Sequence, residues 1–174
     1  MTLYVLAQVV GFLGSLFVLL SFQKNTNKGI LFLQLIGGSF FAVHFILLEA
    51  YTGAAMGILG VARNFVFFNR EKRWAKSIIW LYLFIFIYVI TGLITWENRL
   101  SALPVIAITF GTIALWVKDP RLMRFIMLPA PTCWLVYNIA NSSISGIVSE
   151  VFLLASLIVA IFRFDIIKAD NLSK

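Results

Sequence analysis

Two long apolar stretches, separated by only three residues, decide the fold of this chain. They are residues 29–48, GILFLQLIGGSFFAVHFILL, and residues 52–69, TGAAMGILGVARNFVFFN. Each is close to the length of about 20 residues that a helix needs to cross a hydrocarbon layer of about 30 Å. Similar stretches recur on both sides of this pair. Together they predict seven spans, at residues 3–22, 29–48, 52–69, 77–96, 100–117, 122–141 and 143–162.

The composition agrees with a membrane protein. Of the 174 residues 61% are hydrophobic and only 12% are charged, and the mean hydropathy is +0.99. Soluble domains do not have this composition. Seven spans leave short loops and a short tail, so we expect an all-α polytopic membrane protein whose activity lies between its helices or at their ends.

Positive charges are concentrated in every second connection between the spans. Twelve of the 14 Lys and Arg residues lie at 24–28, 70–76, 118–124 and 163–174, whereas Arg99 lies on the opposite side and Arg63 inside a span. By the positive-inside rule, this pattern predicts an outer N-terminus and a cytoplasmic C-terminus. Anionic lipid headgroups, rather than nucleic acid, are the partners expected for these charges.

An internal repeat divides the chain. Residues 28–70 align without gaps with residues 121–163, an offset of 93, and Arg70 then meets Arg163. The first span aligns with the fifth after a four-residue shift. The alignment predicts two parallel three-helix bundles, residues 1–70 and 100–163, joined by a linker helix within 71–99 and followed by a tail, 164–174.

The second and sixth spans have weak points at matching depth. These are Gly37-Gly38 in one and Pro129 and Pro131 in the other. Glycine lowers helix stability and proline removes a backbone hydrogen bond, so these positions are candidate hinges. The alternative is that they only pack or kink the helices.

Small residues also mark two helix faces. Gly53, Gly57 and Gly60 in the third span, with Gly11 and Gly14 in the first, are spaced for close helix packing. We expect the third span to pack on the first, with a homodimer seam as the alternative.

The end of the first span, LSFQKNTNK at residues 20–28, resembles a degenerate PQ-loop. Gln23 stands where that motif has its glutamine and Lys28 where a basic residue follows, although Phe22 replaces the proline. With the repeat, the chain resembles the SWEET and PQ-loop (MtN3-like) transporter superfamily, and within it the YgjV-type bacterial inner-membrane proteins. The resemblance implies a three-plus-one-plus-three helix arrangement and transport of sugars, vitamins or amino acids.

Polar side chains inside the spans are the candidate substrate-binding residues, because such residues are costly in hydrocarbon and usually face the bundle interior. Glu150 either contacts substrate or takes up a proton, or else it snorkels outward or lines a wet vestibule without a specific function. Arg63 could instead snorkel to the cytoplasmic face. The resemblance implies a substrate role for Asn64, since SWEET transporters use an asparagine on the third helix. The remaining candidates are His44, Trp134, Tyr137 and Asn138.

Catalytic chemistry finds little support in the sequence. One His and one Cys do not form a metal site, and no phosphate-binding loop is present. We therefore expect no enzyme activity, no metal and no cofactor. The sequence predicts a facilitator or proton-coupled carrier of a small polar solute, with a regulatory or scaffold membrane subunit as the alternative.

Overall fold

The computed structural model describes residues 2–21, 26–117 and 119–166, and every regular element in these ranges is helical. A 3-10 turn lies at Arg99–Ser101 and a π-helical turn at Phe162–Ile166. The eight α-helices are α1 Thr2–Ser21, α2 Asn27–Leu47, α3 Tyr51–Phe68, α4 Ile79–Ile94, α5 Ala102–Trp116, α6 Pro120–Met127, α7 Pro129–Ala140 and α8 Ile144–Ile161.

Local sequence sets several of these helix starts. Thr26 accepts a hydrogen bond from the Gly29 N–H at the start of α2, and Asp119 accepts one from Arg121 at the start of α6. Pro120 then occupies the first turn of α6, where its missing N–H costs nothing. Each of the seven predicted spans coincides with helix, and the sixth is divided into α6 and α7.

The outer surface of the bundle is apolar and much of its interior is polar. Ile79, Phe86 and Ile94 on α4 are 68%, 64% and 78% exposed, whereas His44 and Thr52 are fully buried. Four helical stretches, at 2–21, 28–47, 99–116 and 144–164, are long and apolar enough to cross a membrane, and α4 is a shorter apolar helix. This distribution is typical of a bundle whose outer surface contacts lipid.

The helices pack in a pattern that repeats along the chain. Helix α2 contacts both α1 and α3, and α7 contacts both α5 and α8. Helix α4 lies against α3 and α5, and the two sets meet where α1 contacts α8 and α3 contacts α5. The three-plus-one-plus-three division and the N-out orientation remain predictions that these contacts allow.

The glycine-rich face of α3 does not pack mainly on α1, as the spacing led us to expect. A Cβ at Gly57 would meet Ala42 of α2, one at Gly60 would meet Ile108 of α5, and one at Gly53 would meet Tyr137 of α7. The expectation was wrong because three helices, not one, approach this face. The α2 backbone approaches closely at Gly57, and the Tyr137 ring occupies the space at Gly53, which explains why these two positions are small.

Only one of the two predicted weak points interrupts a helix. Helix α2 runs without a break through Gly37 and Gly38, whereas α6 ends just before Leu128. Leu128 keeps helical dihedrals, φ −52° and ψ −43°, so the interruption reflects hydrogen bonds that Pro129 and Pro131 cannot donate. Glycine only weakens a helix, which packing can offset, but proline removes the donor itself.

Candidate functional site

A cavity of about 370 Å³ lies within the bundle. Its lining includes residues from every helix except α4. The wall contains Val18 of α1, Gly38 of α2 and Met56 of α3 from the first half of the chain, with Ala107 of α5 and Leu153 of α8 from the second. The cavity therefore lies between the two parts of the repeat.

Most of this lining is apolar, and the polar groups in it are few. Five of the seven predicted substrate-binding residues line the cavity, and so do the candidate hinges Gly38 and Pro131. A largely apolar wall with a small number of placed polar groups is the usual composition of a small-molecule site. The five predicted residues are Arg63, Asn64, Trp134, Asn138 and Glu150.

Arg63 is fixed in the cavity wall by two neighbours. Its Nε and Nη2 donate to Asn64 Oδ1 at 3.1 and 2.9 Å, and its Nη1 donates to Thr112 Oγ1 at 3.0 Å. Tyr88 of α4 lies 3.2 Å from the same threonine hydroxyl oxygen. These contacts join α3, α4 and α5 around the guanidinium. These contacts do not agree with the alternative that Arg63 snorkels to the cytoplasmic face.

Two other polar side chains of the wall are incompletely bonded. Among the residues that the structure describes, Glu150 Oε2 and Asn138 Oδ1 are buried without a hydrogen-bond partner. A buried oxygen without a donor is costly unless water or a ligand supplies one. Asn138 Oδ1 lies against Gly146 of α8, so Glu150 is the residue at which a bound molecule would gain a hydrogen bond.

Aromatic rings form the part of the wall near the ends of α2 and α7. Trp134 stacks on Phe45, with ring centroids 5.5 Å apart and planes 18° apart. Tyr137 meets Trp134 edge to face at 5.9 Å. Trp134 thus fills part of the core with one face of its ring and also lines the cavity.

The two remaining predicted residues, His44 and Tyr137, do not line the cavity. His44 Nδ1 lies 2.6 Å from the Ala7 carbonyl oxygen, and its Nε2 lies 2.7 Å from Ser143 Oγ. The Tyr137 hydroxyl oxygen accepts the Gly53 N–H at 3.0 Å. Both rings instead connect the first half of the chain to the second.

Further polar contacts between the halves lie at the same end of the bundle. Gln8 Nε2 donates to the Ser142 carbonyl oxygen at 3.0 Å, and Gln8 Oε1 accepts the Ser145 N–H at 3.2 Å. Ser149 donates to Ser15 Oγ at 2.6 Å. We call the set Ala7, Gln8, Ser15, His44 and Tyr137, with its partners, the terminal contact cluster.

The loop motif is described only in part. Gln23 lies outside the described residues. Lys28 Nζ is 2.5 Å from Glu71 Oε2 in an ion pair with both side chains exposed. Of the remaining hinge candidates, Gly37 packs against the Gly14 carbonyl oxygen, and Pro129 begins α7.

Several residues of the site were not among the predicted ones, notably Thr112, Tyr88 and Ser149. Thr112 could have been found, because the repeat aligns it with Ser15 and both hydroxyls contact a neighbouring helix. Across residues 2–21, 26–117 and 119–166, no three His, Cys, Asp or Glu residues group in a way that could hold a metal ion.

Apolar helices around a cavity with an arginine and a carboxylate in its wall define a membrane-embedded helical protein. The chain matches the Imp-YgjV family, described as "Bacterial inner membrane protein", over residues 5–168, and it belongs to that family. It is 29% identical over 150 residues to "Inner membrane protein YgjV" of Escherichia coli (strain K12). The aligned region covers 86% of this chain and 79% of that protein. No solved structure matches it.

Proposed function

We propose that this protein carries a small polar solute across the bacterial inner membrane by alternating access between its two three-helix bundles. The observation that carries the proposal is the cavity of about 370 Å³ between the halves, with Arg63, Asn64, Asn138 and Glu150 in its wall. Ionisable residues inside membrane helices are expensive and commonly mark a substrate or ion pathway. We propose a carrier rather than an enzyme, because these groups suit binding and orientation.

The terminal contact cluster supports a carrier that is closed at one end. Its hydrogen bonds join α1 and the end of α2 to the turn before α8, and the start of α3 to α7. Under the proposed orientation this end faces outward. Opening it requires those bonds to break together, as expected of a gate in an alternating-access cycle.

The repeat supports a SWEET-like or PQ-loop architecture for the family. Shifting the bounds of α2 by 93 gives 120 and 140, which are the start of α6 and the end of α7, and shifting those of α3 gives 144 and 161, the bounds of α8. Two similar halves around one cavity are a common arrangement in transporters. We propose that sugars, vitamins and amino acids are the solute classes to test.

The proposal can be tested by blocking the cavity. Leu157 lines the cavity, whereas Val159 on the same helix is 63% exposed on the outer surface. Purified protein in liposomes is tested for uptake of a labelled solute panel. Leu157→Trp should abolish uptake, and the matched control Val159→Trp should retain it. Equal uptake by the two variants, or no uptake of any solute by the wild-type protein, would instead favour a regulatory or scaffold role.

A further inference from the structure

The cavity wall contains one cationic and one acidic side chain that do not neutralise each other. Arg63 and Glu150 both line it, and no other Lys, Arg, Asp, Glu or His residue does so in the described part of the chain. The ion pair found among the described residues joins Lys28 to Glu71, so Arg63 and Glu150 are more than 4.0 Å apart. A basic and an acidic side chain thus line one cavity without forming an ion pair.

The guanidinium of Arg63 retains capacity for an anion. Arginine has five N–H donors in a planar fork. Three are used, two toward Asn64 and one toward Thr112, which leaves 5 − 3 = 2. The protein partners are a neutral amide and a neutral hydroxyl. The contacts therefore fix the orientation of the fork but do not supply the negative charge that a buried guanidinium normally pairs with.

Glu150 is the complementary case. Its Oε2 is buried and has no donor among the described residues. A buried acceptor of this kind gains most from a ligand that brings N–H groups, and a cationic amine brings both donors and charge. Asn138 also lines the cavity, but its unpartnered Oδ1 lies against Gly146 of α8.

We infer that the cavity binds a zwitterionic amino acid, with its carboxylate at Arg63 and its ammonium group at Glu150. This inference rests on the proposed carrier function and names the solute class for the same site. A neutral sugar would bring no counter-charge to Arg63 and no cation to Glu150, and a simple carboxylate or amine would pair with only one of the two side chains. Removing one partner of a buried charge pair is strongly unfavourable, so the doubly charged ligand is selected over each singly charged one.

The inference is tested first by binding, without any transport step. The purified protein in detergent is titrated with glycine, 3-aminopropanoate, 4-aminobutanoate and 6-aminohexanoate, with butanoate, butylamine and glucose as comparisons, and thermal unfolding reports binding. One amino acid of the series should bind at least about tenfold more tightly than butanoate, butylamine and glucose. Its chain length then measures the separation of the two sites. Glucose, butanoate or butylamine binding as tightly as the best amino acid would overturn the inference.

Two variants then assign the ends of the bound molecule. Glu150→Gln should weaken binding of the best amino acid about tenfold or more and should not weaken butanoate binding, because only the amine end loses its partner. Arg63→Lys keeps the charge but removes the planar set of N–H donors, so it should weaken binding of both the amino acid and butanoate. The matched control Glu49→Gln, at an exposed turn, should change neither. Equal weakening of amino acid and butanoate by Glu150→Gln would indicate a merely structural role and contradict the assignment.

Failure of this inference is distinguishable from failure of the carrier function. Tight binding of an amino acid without uptake into liposomes would support the binding site and contradict transport. Uptake of glucose together with tight glucose binding would support transport and contradict the zwitterion site.

Discussion

Glu49 and Ser142 occupy the same place in two copies of one turn. They are 142 − 49 = 93 positions apart, and both have a left-handed backbone, with φ of 59° and 53°. The Ala50 N–H donates to the Phe45 carbonyl oxygen, and the Ser143 N–H donates to that of Asn138, both at 2.9 Å. This pairing ends a helix in the Schellman motif, which usually has glycine at the left-handed position. The same turn thus joins α2 to α3 and α7 to α8.

The first prediction follows from that backbone. A Cβ in the left-handed region costs roughly 1–2 kcal/mol. Glycine removes this cost, but it also makes the unfolded chain more flexible, which offsets about 0.4–1 kcal/mol of the gain. Ser142→Gly should therefore be more stable than Ser142→Ala by about 0.5–1 kcal/mol. Glu49→Gly should likewise be more stable than Glu49→Ala. Thermal unfolding in detergent measures both pairs, and an alanine variant as stable as its glycine partner would contradict the strain.

The second prediction compares two helix glycines. A Cβ at Gly146 would overlap the Asn138 side-chain amide and Ser143 Oγ, whereas one at Gly111 would meet nothing closer than 3.8 Å. Gly146→Ala should lower the unfolding temperature because Asn138 and the turn must shift. The matched Gly111→Ala should raise it, since alanine is about 0.5–1 kcal/mol better than glycine within a helix. A stable Gly146→Ala variant would show that Asn138 has room to move.

The third prediction concerns His44, which joins Ala7 on α1 to Ser143 between α7 and α8. His44→Phe keeps a ring of similar size but removes both hydrogen bonds. The variant should lose about 0.5–2 kcal/mol of stability, the range for polar contacts between membrane helices. Unfolding in detergent measures this loss. Phe41, which meets the His44 ring edge to face at 5.9 Å, provides the control. Phe41→Leu should lose some packing energy without leaving a polar group unpaired. If the stability of His44→Phe equals that of the wild-type protein, the hydrogen bonds of His44 do not stabilise the terminal contact cluster.

The fourth prediction concerns the interruption at Leu128. Pro129→Ala with Pro131→Ala restores two backbone donors, so α6 and α7 should join into one helix. The double variant should be more stable and should transport more slowly in liposomes, because a hinge has been stiffened. Gly37→Ala is a poor control, since its Cβ would meet Val18 and the Gly14 carbonyl oxygen. If uptake is undiminished at equal protein level, Pro129 and Pro131 do not act as a hinge and serve only in packing.

The fifth prediction concerns orientation. Reporter fusions after Lys28, Arg73, Arg121 and the C-terminus should all report the cytoplasm, because basic residues are retained on that side. A fusion at Arg99 should report the outside. A periplasmic signal from the fusion at Arg73 would exclude the seven-span topology.

Much of the fold could be predicted because apolar length and repeat offset are both visible in the sequence. The span 52–69 corresponds to α3 at Tyr51–Phe68, and the offset of 93 relates α3 to α8 at both ends. The left-handed turns could not be predicted, since neither Glu49 nor Ser142 is the glycine that marks such a position. There the surrounding helices impose a backbone that the local sequence does not favour.

The candidate site was predicted less completely. Arg63, Asn64 and Glu150 could be found because ionisable and amide side chains are rare in apolar spans. Whether a polar side chain faces the cavity or a neighbouring helix depends on the rotation of each helix, which apolar composition on all sides does not fix. For that reason His44 was grouped with the cavity residues, although it bonds Ser143.

The interruption before Pro129 makes the two halves mechanically unequal. Helix α2 is continuous, whereas its counterpart consists of two helices, α6 and α7, that meet at Leu128. Under the proposed carrier function, α6 would move relative to α7 at this joint. Cys133, the chain's single cysteine, lies on α7 one turn beyond this joint and is half-buried. A fluorophore attached there would report movement of α7 relative to the first half of the chain, and no other cysteine has to be removed first.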